Sequence, residues 1–216
     1  MRHQLLLLVA ISFLFLALPG TSQSQNLIIN GSFEITTVPG CTFGLPNATF
    51  TTSMTGCTGA GPHDHMDVMN TPTGCGFLGP PQDGNVKIRL STSHHGYKWD
   101  GFTFLLTSPV VAGQTYTVSF WAWREGPVVN FIRLALSNDA NDAIGGAVIL
   151  DGTPGTSGWT KFETTFLAPS SASHLAVRIS DCCNSTRIHI DNFVLEHEDS
   201  IPTNQTTWGL VKSLFR

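Results

Sequence analysis

The chain has 216 residues, only 12% of them charged, and a formal net charge of −4. It carries no basic stripe for a phosphate backbone and no acidic tail, which excludes nucleic acid as a partner. With 14 Phe and 5 Trp it is too apolar and aromatic for a disordered polypeptide, and one folded domain is expected.

Residues 5–18 form one apolar run, preceded by Arg2 and His3 and followed by Pro19, Gly20 and small polar residues. This is the pattern of a signal peptide, expected to be cut after Ser24. The run is shorter than the ~20 residues a membrane-spanning helix needs. No second run follows, so no transmembrane segment is expected after cleavage, and the protein is expected to be secreted or held at the cell surface. Export favours disulfides over catalytic thiols. Five cysteines are available, Cys41, Cys57, Cys75, Cys182 and Cys183. Cys41 is expected to pair with Cys57, and Cys75 with Cys182 or Cys183. A zinc site is disfavoured because no Cys-x-x-Cys pair exists.

Beyond the signal peptide, short alternating segments separated by Gly, Pro, Asn, Asp and Ser read as strands. They fall at residues 27–30, 32–37, 85–90, 101–107, 115–124, 130–137, 147–150, 159–167, 174–180 and 187–196. Val86, Ile88 and Leu90 alternate with Lys87 and Arg89, so one face of that strand is core and the other wet or covered. The fold class expected is all-β, a two-sheet antiparallel β-sandwich over residues 25–198 with a long Cys-containing insert loop at 40–82. A loop of that length is usually functional or tied by disulfides. Residues 199–216 read as a linker and a short tail with Trp208, Val211 and Phe215 at helical spacing, too short to hold a helix alone.

Four segments together resemble a known family: Asn26-Leu-Ile-Ile-Asn-Gly-Ser-Phe-Glu34, Val111-Ala-Gly-Gln-Thr-Tyr-Thr-Val-Ser-Phe-Trp-Ala122, Gly158-Trp-Thr-Lys-Phe-Glu-Thr-Thr-Phe-Leu-Ala168 and Ile188-His-Ile-Asp-Asn-Phe-Val-Leu195. They are similar to the carbohydrate-binding module family 4/9 group, among the galactose-binding-like jelly rolls of secreted bacterial proteins. The resemblance implies a jelly-roll sandwich and a non-catalytic carbohydrate-binding or surface-adhesion role, since fold alone does not fix function. It also implies a structural calcium ion held by Glu34 and Asp191. The sequence adds a separate observation: the apolar phase of Ile188 and Ile190 shifts to Phe193 and Leu195, so a bulge is expected at Asp191-Asn192. Bulged backbone frees carbonyls for a hard cation. The alternative is that Asp191 and Asn192 cap the bulge by hydrogen bonding alone.

Strand parity supplies the candidate binding surface. Tyr116, Val118, Phe120 and Ala122 share one face, leaving Trp121 and Trp123 on a polar one. A simple hairpin after Glu125-Gly126-Pro127 would set Trp123 opposite Phe131 and Trp121 opposite Arg133. Such an aromatic patch suits the apolar face of a sugar ring, with polar neighbours for its hydroxyls. The loop holding His94, His95, Tyr97, Trp99 and Asp100 would add a wall, or Trp99 would plug the core edge. His63, His65 and Asp67 would share one side of an extended segment and could offer three metal ligands, although such clusters are more often solvated. The scarcity of charge favours a neutral polysaccharide or glycan as partner. Two other readings stay open, a surface interaction module that binds no sugar and a polysaccharide lyase or hydrolase using the His-rich loops.

Overall fold

The computed structural model describes residues 25–71, 75, 79–93, 98–127, 129–179 and 186–198. In chain order these form β1 (Cys41–Leu45), α1 (Asn47–Ser53), β2 (Cys57–Gly59), β3 (Met66–Asn70), β4 (Val86–Ser93), β5 (Lys98–Trp99), β6 (Gly101–Val110), β7 (Thr115–Glu125), β8 (Ile132–Ser137), β9 (Ala147–Gly152), β10 (Thr160–Leu167), β11 (Ala172–Ile179) and β12 (Arg187–His197). A seven-stranded sheet runs β1-β3-β4-β12-β7-β10, with β5 added to β4, and a five-stranded sheet runs β2-β6-β11-β8-β9. The pairings are antiparallel, as two-sided alternation of apolar and polar residues predicts. Inward residues of both sheets meet in one core. Phe33, Phe102, Phe104, Phe120 and Phe193 cluster there with ring centres 5.0–6.1 Å apart.

Three expectations change. Residues 27–30 and 32–37 form no ladder strands; the stretch 26–37 contributes isolated bridges, Asn26 to Glu196, Ile28 to Leu106 and Thr36 to Met54. The chain bends here because Gly31 lies against the Phe193 carbonyl, where a Cβ would sit 1.9 Å from the oxygen, and Phe33 takes φ +60° to enter the core. The Asn30 side chain holds the bend, accepting from Ile35 N–H at 3.0 Å and donating to the carbonyls of Ile35 and Thr55.

The expected insert loop is structured, since β1, α1, β2 and β3 lie within it and extend both sheets at their edges. Its disulfide joins Cys41 to Cys75, with Cα atoms 5.5 Å apart, and overturns both expected pairings, Cys41 with Cys57 and Cys75 with Cys182 or Cys183. Cys57 sits on β2 opposite Phe104, facing the core, so its thiol is buried and burial pushes its pKa upward. Cys182 and Cys183 lie outside the described residues, as do residues 1–24, expected to be a signal peptide, and residues 199–216.

The third change concerns β7 and β8, which are not a hairpin. β7 lies between β12 and β10, and the chain then crosses to the other sheet, where β8 pairs with β11 and β9. By contrast the bulge expected at Asp191-Asn192 is present: the β12–β7 register shifts between Asp191 and Val194, with Asn192 at φ +50°. The described chain enters and leaves side by side, Leu27 N–H donating to the Leu195 carbonyl at 2.7 Å and Leu195 N–H to Asn26 Oδ1 at 3.0 Å.

Candidate carbohydrate-binding face

Because Val86, Ile88 and Leu90 point into the core, Lys87 and Arg89 stand on the outer face of the seven-stranded sheet, and the same parity puts His189 and Trp123 there. Register sets four of these side by side across four strands: Asp67 on β3 opposite Arg89 on β4, Arg89 opposite His189 on β12, and His189 opposite Trp123 on β7. The His189 ring lies flat on the Trp123 indole, centres 4.2 Å apart and planes within 3°. Trp159, just before β10, meets Trp123 edge-on at 6.3 Å and donates its Nε1–H to the Pro80 carbonyl at 3.2 Å. The Lys87 ammonium lies 5.4 Å from the Trp123 ring and 5.7 Å from Trp159, and donates to the Gly79 carbonyl at 2.8 Å. Burial lowers its pKa to about 8. A pocket of about 180 Å³ opens here, lined by Gly79, Pro80, Trp123, Thr156, Gly158 and Trp159.

Glu125, at the end of β7, joins the charged members of the row. It accepts from His189 Nε2 at 2.6 Å and lies 3.5 Å from Arg89 Nη1 and 3.6 Å from Arg187 Nη1. The His189 hydrogen bond leads the effects that hold its carboxyl at about 2. Burial holds His189 at about 4, so at neutral pH the ring is uncharged and donates Nε2–H to the carboxylate. Its Nδ1 is buried with no hydrogen-bond partner among the described residues. Asp67 accepts from Arg89 Nε and Nη2 at 2.9 and 2.7 Å and from Gly44 N–H at 2.7 Å. The row is thus polar, internally paired and close to charge-balanced beside an aromatic pocket. Stacking of apolar ring faces on indole and hydrogen bonding to hydroxyls are the contacts it can make.

The expected site residues divide. Trp123 is at the pocket, and Trp121 is half-buried one row along the same face, between Asp191 and Lys161. Arg133 and Phe131 belong to the other sheet's side, which removes them from the Trp patch: Arg133 makes a two-pronged ion pair with its cross-strand neighbour Asp151, at 2.8 and 2.7 Å, and lies 5.2 Å from the Phe131 ring. Trp99 is buried against Gly101, with the Arg178 guanidinium 4.9 Å from its ring, so it closes the outer face of the five-stranded sheet. Residues 138–146 roof that same face, Thr103 Oγ1 donating to the Ala140 carbonyl at 2.7 Å and Gly145 packing onto Ala135 and Ala176. Tyr97, His94 and His95 lie outside the described residues.

Sequence reasoning missed Trp159, Lys87, Arg89, Glu125 and His189. The alternation that placed Lys87 and Arg89 off the core applies equally to His189 between Ile188 and Ile190. That signal was present, but only sheet order reveals that these strands are neighbours.

Glu34 and Asp191 grip one turn from two sides. Asp191 Oδ2 accepts from Gln82 and Asp83 N–H at 2.9 and 3.0 Å, its Oδ1 accepts from Asn192 N–H at 2.7 Å, and Glu34 Oε1 accepts from Asn85 and Val86 N–H at 2.8 and 2.7 Å. Burial raises the Asp191 pKa to about 7 against these bonds. These bonds use Glu34 Oε1 and both oxygens of Asp191, and they include the cap on the Asp191-Asn192 bulge. Asp67 is likewise committed to Arg89 and to Gly44 N–H. Among the described residues no group of three or more His, Cys, Asp or Glu is arranged to hold a metal ion, and no helix is long and apolar enough to cross a membrane.

A family described as a carbohydrate binding domain, CBM 4/9, matches residues 25–181. No curated protein matches the chain. Similar solved structures include TmCBM61 in complex with β-1,4-galactotriose, 16% identical with a TM-score of 0.45, covering 81% of this chain and 100% of that one. Others are the CBM22-1 xylan-binding domain of Xyn10C from Paenibacillus barcinonensis, 15% identical with a TM-score of 0.47 over 84% and 99% of the two chains, and a family 16 carbohydrate-binding module, 17% identical with a TM-score of 0.46 over 79% and 99%.

Proposed function

This chain belongs to the CBM 4/9 family of carbohydrate binding domains, and on that premise we propose that it is an exported, non-catalytic module that binds a neutral polysaccharide on the outer face of its seven-stranded sheet. The observation that carries the reading is the Trp123–Trp159 pocket beside the Asp67–Arg89–His189–Glu125 row. One face of Trp123 is taken by His189, so the rest of that indole and Trp159 serve as the stacking surface. At about 180 Å³ the pocket is below the ~300 Å³ typical of drug-sized sites, which suits one ring of a chain whose other units run along the face. Pairing of the charged groups leaves no strong field to select an anionic sugar. Residues 1–24 serve as the export signal, and the destination is the cell exterior or surface.

The test is depletion binding and calorimetry against a panel of insoluble and soluble polysaccharides. We expect at least one neutral glycan to bind, with affinity lowered about tenfold or more in Trp159→Ala and Trp123→Ala proteins that keep their circular dichroism. Binding that survives both substitutions would move the site elsewhere. Absence of binding across the panel would favour an interaction module, and release of reducing or unsaturated ends would favour an enzyme.

A further inference from the structure

We propose that His63 and His65 form a two-imidazole site for a divalent first-row transition ion such as zinc, apart from the sugar face and independent of its function. The loop from Gly61 to His65 is tied down on both sides. Gly61 N–H donates to the Gly101 carbonyl at 2.9 Å, His63 N–H to the Trp99 carbonyl at 3.3 Å, and Asn47 N–H to Asp64 Oδ1 at 3.0 Å. Beneath it the Asp100 carboxylate, 1% exposed, is fixed by Ser91 N–H and Oγ–H at 2.6 and 2.7 Å. Asp100 Oδ1 receives Nδ1–H of His63 at 2.8 Å. That bond sets the tautomer: the proton is on Nδ1, and the Nε2 lone pair is on the opposite side of a ring that is 23% exposed. A carboxylate behind a histidine in this way both aims the ring and makes its other nitrogen a better donor to a metal.

The second histidine stands where such an ion would want it. The His63 and His65 ring centres are 5.0 Å apart, at 79°, and His65 is exposed. An imidazole nitrogen ~2.0–2.1 Å from zinc puts its ring centre ~3.2 Å from the metal, so two rings at a tetrahedral angle stand ~5.2 Å apart. The 5.0 Å between ring centres is close to that separation, so turning the exposed His65 ring about its side-chain bonds would let the two imidazoles share one ion, with water in the remaining positions. Imidazole ligation selects zinc, copper, nickel or cobalt over calcium and magnesium.

The test is titration of untagged protein with zinc and cobalt, read by calorimetry, by cobalt absorption and by nitrogen-15 shifts of the histidine rings. One equivalent should bind saturably at sub-millimolar metal, moving the His63 Nε2 resonance while Nδ1 keeps its proton. His65→Ala, an exposed change that leaves the fold intact, should lower affinity at least ~10-fold, and Asp100→Asn or Ser91→Ala should weaken it through the ring's orientation by up to ~10-fold. No saturable binding, or full binding in a His63→Ala, His65→Ala protein, overturns the site. Unchanged affinity in both the Asp100→Asn and Ser91→Ala proteins overturns the part assigned to the carboxylate.

Discussion

Glu125 is the residue on which the outer face of the seven-stranded sheet turns electrically, because its carboxylate takes the His189 proton donor and faces two guanidinium groups. Its folded pKa of about 2 lies below the ordinary 4.5. The stability it contributes is therefore present above pH 4.5 and is lost as pH falls toward 2. A Glu125→Gln protein should melt below the parent at pH 7, with the difference shrinking as both are taken toward pH 2.5; a constant difference would show that the carboxylate's charge is not what stabilises. Taking the difference between proteins matters, because Asp191, raised to about 7, works in the opposite direction, costing stability as pH rises. Parity along β7 placed Trp123 outward from the sequence alone, and the same count applied to β12 reaches His189. What no count supplies is that β12 is the neighbour of β7, so the flat stack of the two rings was not legible.

At the scale of elements, the 82–86 turn is held by backbone N–H groups directed at Glu34 and Asp191. Asp191→Ala should accordingly lower the thermal midpoint with or without calcium; a rise of the parent's midpoint with calcium, reversed by a chelator and lost in Asp191→Ala, would assign direct ligation to the pair as well. Gly31 answers to a different constraint. A methyl group there would meet the Phe193 carbonyl, so Gly31→Ala should cost at least about 3 kcal/mol or prevent folding, read by denaturant unfolding. The Cys41–Cys75 bond spans 34 residues of sequence, and its removal as Cys41→Ser with Cys75→Ser should cost about 3–4 kcal/mol by the loop-entropy argument. The insert escaped sequence reading because its strands are short and alternate weakly, β1 and β3 having five residues each and β2 three. β2 exists because the neighbouring edge of β6 offers unpaired backbone groups, and outside the insert the two-residue β5 pairs with β4 in the same way. The bulge was legible because it left a break in the apolar phase.

For the whole molecule, the sandwich and most of its central strands could be read from alternation, whereas the assignment of each strand to a sheet could not. The hairpin expected between β7 and β8 illustrates why. A short polar turn is compatible both with pairing in one sheet and with crossing to the other, and only the competition for the edges of β7, won by β12 and β10, decides it. That outcome makes the molecule two-sided. One outer face is roofed by residues 138–146 and Trp99, and the other carries the aromatic pocket. The side-by-side entry and exit of the chain, joined from Asn26 and Leu27 to Leu195 and Glu196, has a mechanical meaning. Tension applied between those two points would peel the contacts open one after another, so the domain resists such a pull poorly.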